Sequence, residues 1–231
     1  MAMGGLDPGL DTAENYRAFA RECADRCPPY QALADAVAED GLVLGFLGAL
    51  PQQKRQPNLL FAAARYLLGA PADITALRRL VRRDGDRLAA VMAARRTQTN
   101  EPARCATLLP ALAALPQPLA LIEVGASAGL TLLPDRYSYE YSSAQGSRRV
   151  DGTDPAAPLL RCAVTGPVPV PARVPAVAWR AGLDLSPLDV SDPGDVRWLH
   201  CLVWPGESDR ARRLDDRAGT LIAAVMAGGR R

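Results

Sequence analysis

The stretch Leu119-Ala-Leu-Ile-Glu-Val-Gly-Ala-Ser-Ala-Gly-Leu130 decides how the rest of this chain is read. Leu119 to Val124 is a short aliphatic run preceded by Pro116 and Pro118. Bounded by turn signals, such a run suits a buried strand of a parallel sheet. Gly125 and Gly129 accept positive φ and let another group come close to the backbone. The residues after Gly129 are compatible with a helix as far as Pro134. A strand feeding a helix through small residues presents free N–H groups at a positive helix end, where nucleotide-like ligands bind.

Several chemistries share this shape. Acidic-x-Gly-x-small-x-Gly, here Glu123, Gly125, Ala126, Ser127 and Gly129, is the pattern of a methyltransferase-type cofactor turn. The dinucleotide fingerprint G-x-G-x-x-G fits poorly, because Ser127 stands at its second glycine. Gly125-Ala-Ser-Ala-Gly129 matches the nucleophile elbow G-x-S-x-G letter for letter. A structural turn that binds nothing is the remaining reading. An elbow serine needs an acid and then a histidine downstream, and Asp184 or Asp192 followed by His200 stand in that order. Against a hydrolase, everything before Leu119 reads as helix, and no His-Gly-Gly oxyanion loop lies upstream. His200 also sits among Trp198, Leu199, Leu202 and Val203, where burial would restrict its reach. Ser127 is therefore expected to be a small turn residue with its backbone N–H turned to a ligand.

The chain has 231 residues, 48% of them hydrophobic and 23% charged, with a net charge of +2. That balance gives no strong pull toward nucleic acid or a membrane surface. Lys54 is the only lysine, which excludes a G-K-[ST] phosphate loop. Cys23, Cys27, Cys105, Cys162 and Cys201 include no C-x-x-C pair and His200 is the only histidine, so no metal centre is expected. No signal-peptide pattern opens the chain, and no apolar run reaches the length of a membrane helix. The expectation is a reduced, cytoplasmic protein.

Before the central strand, the periodicity predicts helices throughout. Asp11 or Thr12 caps the first, which turns Tyr16, Phe19, Ala20, Cys23 and Cys27 inward, and Pro28-Pro29 opens the second. Leu42 to Leu50 is apolar almost all round and predicts a short buried helix. Asn58 to Leu68 predicts another, with Leu60, Ala64, Leu67 and Leu68 inward. Asp73 and Asp86 then start two separate helices, and Arg78, Arg79, Arg82 and Arg83 on the first read as a solvated face. Beyond the glycine turn, Tyr137, Tyr139 and Tyr141 alternate as a strand with one aromatic face, returned as a hairpin by Gln145-Gly146. A last helix from about Glu207 to Met226 carries Leu214, Ala218, Leu221, Ile222 and Val225 on one side.

Two further clusters hold polar chemistry. Ala176 to Pro187 reads as a strand ending in Gly182-x-Asp184. In nucleotide-binding α/β folds a carboxylate at that place accepts hydrogen bonds from ribose hydroxyls. Asp184 lies 184 − 129 = 55 residues past Gly129, against about 20 in the usual crossover. A hairpin and a proline-rich piece, at about 135–175, therefore read as an insertion. A turn or capping role for Asp184 is the alternative. Upstream, Asn100 suits an N-cap. Gln98, Asn100, Glu101 and Arg104 together are more polar chemistry than a cap requires and are candidates to line a ligand cleft.

In order, the motifs are Gln98-Thr-Asn-Glu with Arg104-Cys105, the Glu123 to Leu130 turn, and Asp135-Arg-Tyr. Then come Trp179-Arg-Ala-Gly-Leu-Asp-Leu-Ser-Pro-Leu-Asp-Val and Trp198-Leu with Leu202-Val-Trp-Pro. Over nearly the whole chain this series resembles an uncharacterised bacterial domain-of-unknown-function family. The resemblance implies a helical N-terminal part, a Rossmann-like part, and members that continue beyond the length of this chain. The expected fold is α/β: an all-helical subdomain over 1–115, then a partial Rossmann-like, methyltransferase-like core over 116–231 with the inserted hairpin. An open sheet edge would offer a second copy a place to pair. The expected ligand is the small-molecule cofactor S-adenosylmethionine, with methyl transfer as the reaction class. Glu123 and the turn N–H groups would hold its amino-acid end, and Asp184 its ribose. A degenerate Rossmann-like interaction module is the alternative.

Overall fold

The computed structural model describes residues 7–98, 100–207, 210 and 211, which fall into two units. The first unit holds 7–98 with 197–207, and the second holds 100–196 with Arg210 and Ala211.

In the first unit, α1 (Thr12–Cys23) opens with a reciprocal cap. The Asp11 carboxylate accepts from the Glu14 N–H, and the Glu14 side chain accepts from the Asp11 N–H. Tyr16, Phe19, Ala20 and Cys23 are buried, as the spacing predicts. Prolines in the first turn start α2 (Pro28–Ala38), and Asp40 caps α3 (Gly41–Gly48). Only Val43 and Leu47 of α3 are buried, where a helix buried all round was expected. Two turns of helix bring a single row of side chains to the core, whatever the composition of the other rows. In α4 (Pro57–Leu68) the buried run is Leu59 to Ala64 and Leu68 is exposed, so the inward face lies nearer the start than the periodicity suggests. The two helices expected from Asp73 and Asp86 follow each other end to end within α5 (Ile74–Ala94) and meet at a kink, where Asp84 leaves helical conformation (φ −136°, ψ 30°) beside Gly85.

Residues 197–207 complete this unit. Trp204 packs edge-on against Phe19 with ring centroids 5.4 Å apart, and its indole N–H donates to Asn58 Oδ1 at 3.0 Å. Trp198 is fully buried and donates to the Arg96 carbonyl at 3.0 Å. The Arg95 guanidinium lies 5.8 Å from the ring centres of both Tyr66 and Trp198. The Trp198 to Pro205 motif thus belongs to the helical unit, although it follows the strands in sequence.

In the second unit, α6 (Arg104–Ala114) leads into β1 (Leu119–Val124), the strand the sequence predicts. β1 pairs in parallel with β5 (Val177–Leu183), Glu123 opposite Gly182 and Val124 opposite Leu183. The chain between them builds a sheet of its own from β2 (Ser138–Ser143), β3 (Gly146–Val150) and β4 (Leu159–Ala163), in the order β3-β2-β4. The expected hairpin is β2 with β3, and β4 adds a parallel strand to it. Tyr137, Tyr139 and Tyr141 are all buried, and their hydroxyls donate to the carbonyls of Leu130, Pro134 and Ala106, each at 2.6 Å. With Cys105, Leu109 and Leu160 they make the core of the unit. The last described helix, α7 (Pro193–Leu202), contains the boundary between the units.

Helices combined with parallel and antiparallel strands make the chain α/β, with a helical N-terminal region, as expected. The burial of β1 is not as expected. Ile122 and Val124 are 66% and 83% exposed, because among the described residues nothing covers their face of the β1–β5 sheet. The amphipathic stretch read between Glu207 and Met226 lies, past Ala211, outside the described residues. No helix among the described residues is long and apolar enough to cross a membrane.

Candidate functional site

The parallel pairing of β1 and β5 brings the glycine turn and Asp184 together across 57 residues of sequence. Three consecutive amides of the turn are used there. The N–H groups of Gly125 and Ala126 donate to the Leu183 carbonyl at 2.7 and 3.2 Å. The N–H of Ser127 donates to Asp184 Oδ2 at 2.8 Å. Asp184 Oδ1 accepts from the Ser186 N–H at 2.8 Å, so one carboxylate ties both strand ends together. The turn is tightly drawn: Gly125, Ser127 and Gly129 have φ of 82°, 52° and 73°. A Cβ on Gly182 would lie 2.7 Å from Ala126 Cβ, so the glycine opposite Glu123 is needed for this close approach.

This geometry corrects two expectations. After Gly129 the chain makes only a 3₁₀ turn, Leu130–Leu132, so no α-helix end stands at the glycine turn. Tyr137 and Tyr139 hold the carbonyls of Leu130 and Pro134, which draws the chain into the three-stranded sheet instead of onward into a helix. The Ser127 N–H, expected to face a ligand, is taken by Asp184. Asp184 is thus hydrogen-bonded within the turn, one of the two roles read for it.

Asn100 is buried and caps nothing in its own helix. Its Nδ2 donates to the Ala126 carbonyl at 2.9 Å, and its Oδ1 accepts from the Leu130 N–H at 3.0 Å. One amide side chain therefore spans the two limbs of the turn. Glu101 Oε1 accepts from the Ala103 N–H at 3.0 Å, and its Oε2 lies 3.1 Å from Arg210 Nε. Arg104 is exposed at the start of α6, and Gln98 belongs to the first unit. Of the four proposed cleft residues, Asn100 is hydrogen-bonded to the turn.

Two polar atoms at the turn are buried without a hydrogen-bond partner among the described residues: Glu123 Oε2 and Ser127 Oγ. The other Glu123 oxygen accepts from the Thr131 hydroxyl. Thr131 is a site residue that the motif search passes over, because it stands outside the last glycine. Burial, aided by Glu123 and Asp135, pushes the Cys105 thiol up to about 12, so it is neutral and unreactive at physiological pH. The Asp135-Arg and Trp179-Arg motifs meet here as well, in the two-pronged pair of Arg180 with Asp135 at 3.0 and 2.9 Å.

A serine nucleophile needs a base within hydrogen-bond reach, and Ser127 Oγ has none among the described residues. A fluorophosphonate probe is expected to leave Ser127 unlabelled, as read by mass spectrometry of the tryptic peptide. Labelling that disappears in His200→Ala would make the protein a serine hydrolase.

Among the described residues, no group of three or more His, Cys, Asp and Glu side chains is placed to hold a metal ion. No curated protein matches the chain, and neither does any solved structure. A family model does match, over residues 13–225, and the chain belongs to that family, the uncharacterized proteins conserved in bacteria (DUF2332).

Proposed function

We propose that the protein binds S-adenosylmethionine at the carboxyl ends of β1 and β5 and belongs to the methyltransferases. The observation that carries this reading is the pair of buried, unpartnered polar atoms, Glu123 Oε2 and Ser127 Oγ, beside a glycine turn at adjoining parallel strand ends. Ligands of open α/β sheets bind outside the carboxyl ends of the strands. A buried carboxylate oxygen with no donor costs free energy until a donor arrives, and an ammonium group supplies one. Glu123 would hold the ammonium of the cofactor's amino-acid end, and Ser127 would add a neutral hydrogen bond. When bound, the cofactor supplies an electrophilic methyl group on sulfur. Asp184 keeps the turn in shape and holds Ser127 in its positive-φ conformation.

Isothermal titration of the folded protein with S-adenosylhomocysteine tests this, with binding heat and a thermal shift expected. Glu123→Gln is expected to weaken binding by about tenfold to a hundredfold, the worth of one charge-assisted hydrogen bond. Ser127→Gly should stay within about tenfold, since a neutral hydrogen bond is worth about 1 kcal/mol. Absence of both heat and thermal shift in the folded wild-type protein would remove the cofactor reading.

One observation favours a second reading, that of an interaction module. β1 and β5 each have a partner strand on one side only, so two parallel edges stand open among the described residues. Self-association through such an edge would give a defined oligomer without small-molecule affinity. A monomer by light scattering would count against it.

A further inference from the structure

We propose that β3 is a docking edge for an extended, acidic segment of another protein, which joins the three-stranded sheet as a fourth strand. In the order β3-β2-β4, β3 has a partner strand on one side only among the described residues. Gly146 to Arg149 are exposed, so its outer edge is open along almost the whole strand. Alternate residues of an antiparallel strand turn their N–H and C=O groups away from the partner. Groups so placed are a template for one more strand.

Two features of this edge select the partner. The first is a hollow. The register sets Val150 opposite Tyr139 and Arg148 opposite Tyr141, on the face that carries the core of the unit. Val150 is buried there, whereas Arg148, two residues nearer the hairpin turn, is exposed and lines a hollow of about 350 Å³. Tyr141, Val164, Val168 and Val170 give the hollow an apolar lining that suits an aliphatic side chain. The second feature is charge. The other arginines of the strands are paired: Arg149 with Asp151 at 2.7 Å, Arg161 with Glu140 at 2.9 Å and Arg180 with Asp135 at 2.9 Å. Arg148 has no acidic partner among the described residues. A guanidinium takes a carboxylate through two parallel hydrogen bonds. Side chains of one strand face return every second residue. The segment that fits therefore carries Glu or Asp with an aliphatic residue two positions away, held by main-chain hydrogen bonds and read by its side chains.

The probe is the peptide fluorescein-Thr-Val-Thr-Glu-Thr-Val-Thr-amide, read by fluorescence anisotropy against the whole chain. Saturable binding with a Kd below about 1 mM is expected. Lysine in place of the peptide's glutamate should weaken binding at least about tenfold, the worth of a charge-assisted hydrogen bond. Two adjacent prolines after the glutamate remove a ladder hydrogen bond in either register and should also weaken it. Arg148→Glu should reverse the preference, so that the lysine peptide binds better than the glutamate peptide. A merely structural role for Arg148 produces no such reversal, and the exposed position leaves the hairpin intact in the variant, as circular dichroism will show. Failure of both peptides to bind at about 1 mM overturns the proposal, since Arg148 then only guards the edge against pairing. Equal affinity for the two peptides overturns it too, as does a preference unchanged in Arg148→Glu. So does a wild-type dimer by light scattering that Arg148→Glu splits, because a second copy of the chain then occupies the edge.

Discussion

Asn100→Asp is expected to destabilise the second unit by about 2–4 kcal/mol at neutral pH, measured by urea unfolding. Asn100 is buried, and both atoms of its amide are used, one toward each limb of the glycine turn. Aspartate keeps an acceptor for the Leu130 N–H but loses the donor, and turns a second acceptor toward the Ala126 carbonyl. The loss is a mismatch of hydrogen bonds inside an unchanged shape, so it depends on protonation. A carboxyl placed there has its folded pKa raised by burial and by the facing carbonyl. Protonated, it donates to Ala126 much as the amide does. Below its unfolded value of about 3.9 the group is neutral in both states and the penalty vanishes. The penalty grows as pH rises from there to the folded value, and is constant above it. Asn100→Leu removes both hydrogen bonds at every pH and should show no such recovery. If the two variants lose equal stability at pH 5 and pH 8, the clamp is not what holds the turn.

The second large effect lies in the pairing of Arg180 with Asp135. The guanidinium makes two hydrogen bonds to the carboxylate and a third to the Leu132 carbonyl at 2.9 Å, and both side chains are mostly buried. Arg180→Met strands the Asp135 charge in that setting. The expected cost is about 3 kcal/mol, at the low end for a buried pair because water still reaches part of it. The penalty comes mainly from the charge left behind, so adding Asp135→Asn to Arg180→Met should recover part of the lost stability. A double variant no more stable than Arg180→Met would show that the pair does not carry this energy. The same pair joins two motifs that are 45 residues apart, each holding one half of a single bridge.

Local signals were legible. The limits of β1, the Asp11 and Asp73 caps and the tyrosine alternation each follow from a handful of neighbouring residues. What escaped depends on partners far along the chain. Asn100 reads as an N-cap because a side-chain amide satisfies backbone N–H groups equally well at its own helix or 30 residues away, and only the fold chooses. Asp184 reads as a ribose ligand or as a turn residue because of its position at a strand end, and its bond from the Ser127 N–H, 57 residues away in sequence, is visible only in the fold. The missing helix after Gly129 was illegible for a similar reason. Leu130 to Leu133 has the composition of a helix, and two tyrosine hydroxyls contributed by β2 and its approach hold the carbonyls around it.

The helical unit is made from two pieces of chain, 7–98 and 197–207, with 98 residues of the second unit between Gln98 and Arg197. On a ribosome adding about 5–20 residues per second, those 98 residues take roughly 5–20 s. For that interval the first piece exists without Trp198 and Trp204, and the rings of Phe19 and Tyr30 that pack on Trp204 face water. The nascent helical bundle is thus unfinished by design of its connectivity, and it depends on the intervening unit folding into a compact loop that returns Trp204 to its seat. Slow or failed folding of the strand-bearing unit would leave those rings open to chaperones or to aggregation, so defects at the glycine turn would surface as misfolding of helices that contain none of its residues.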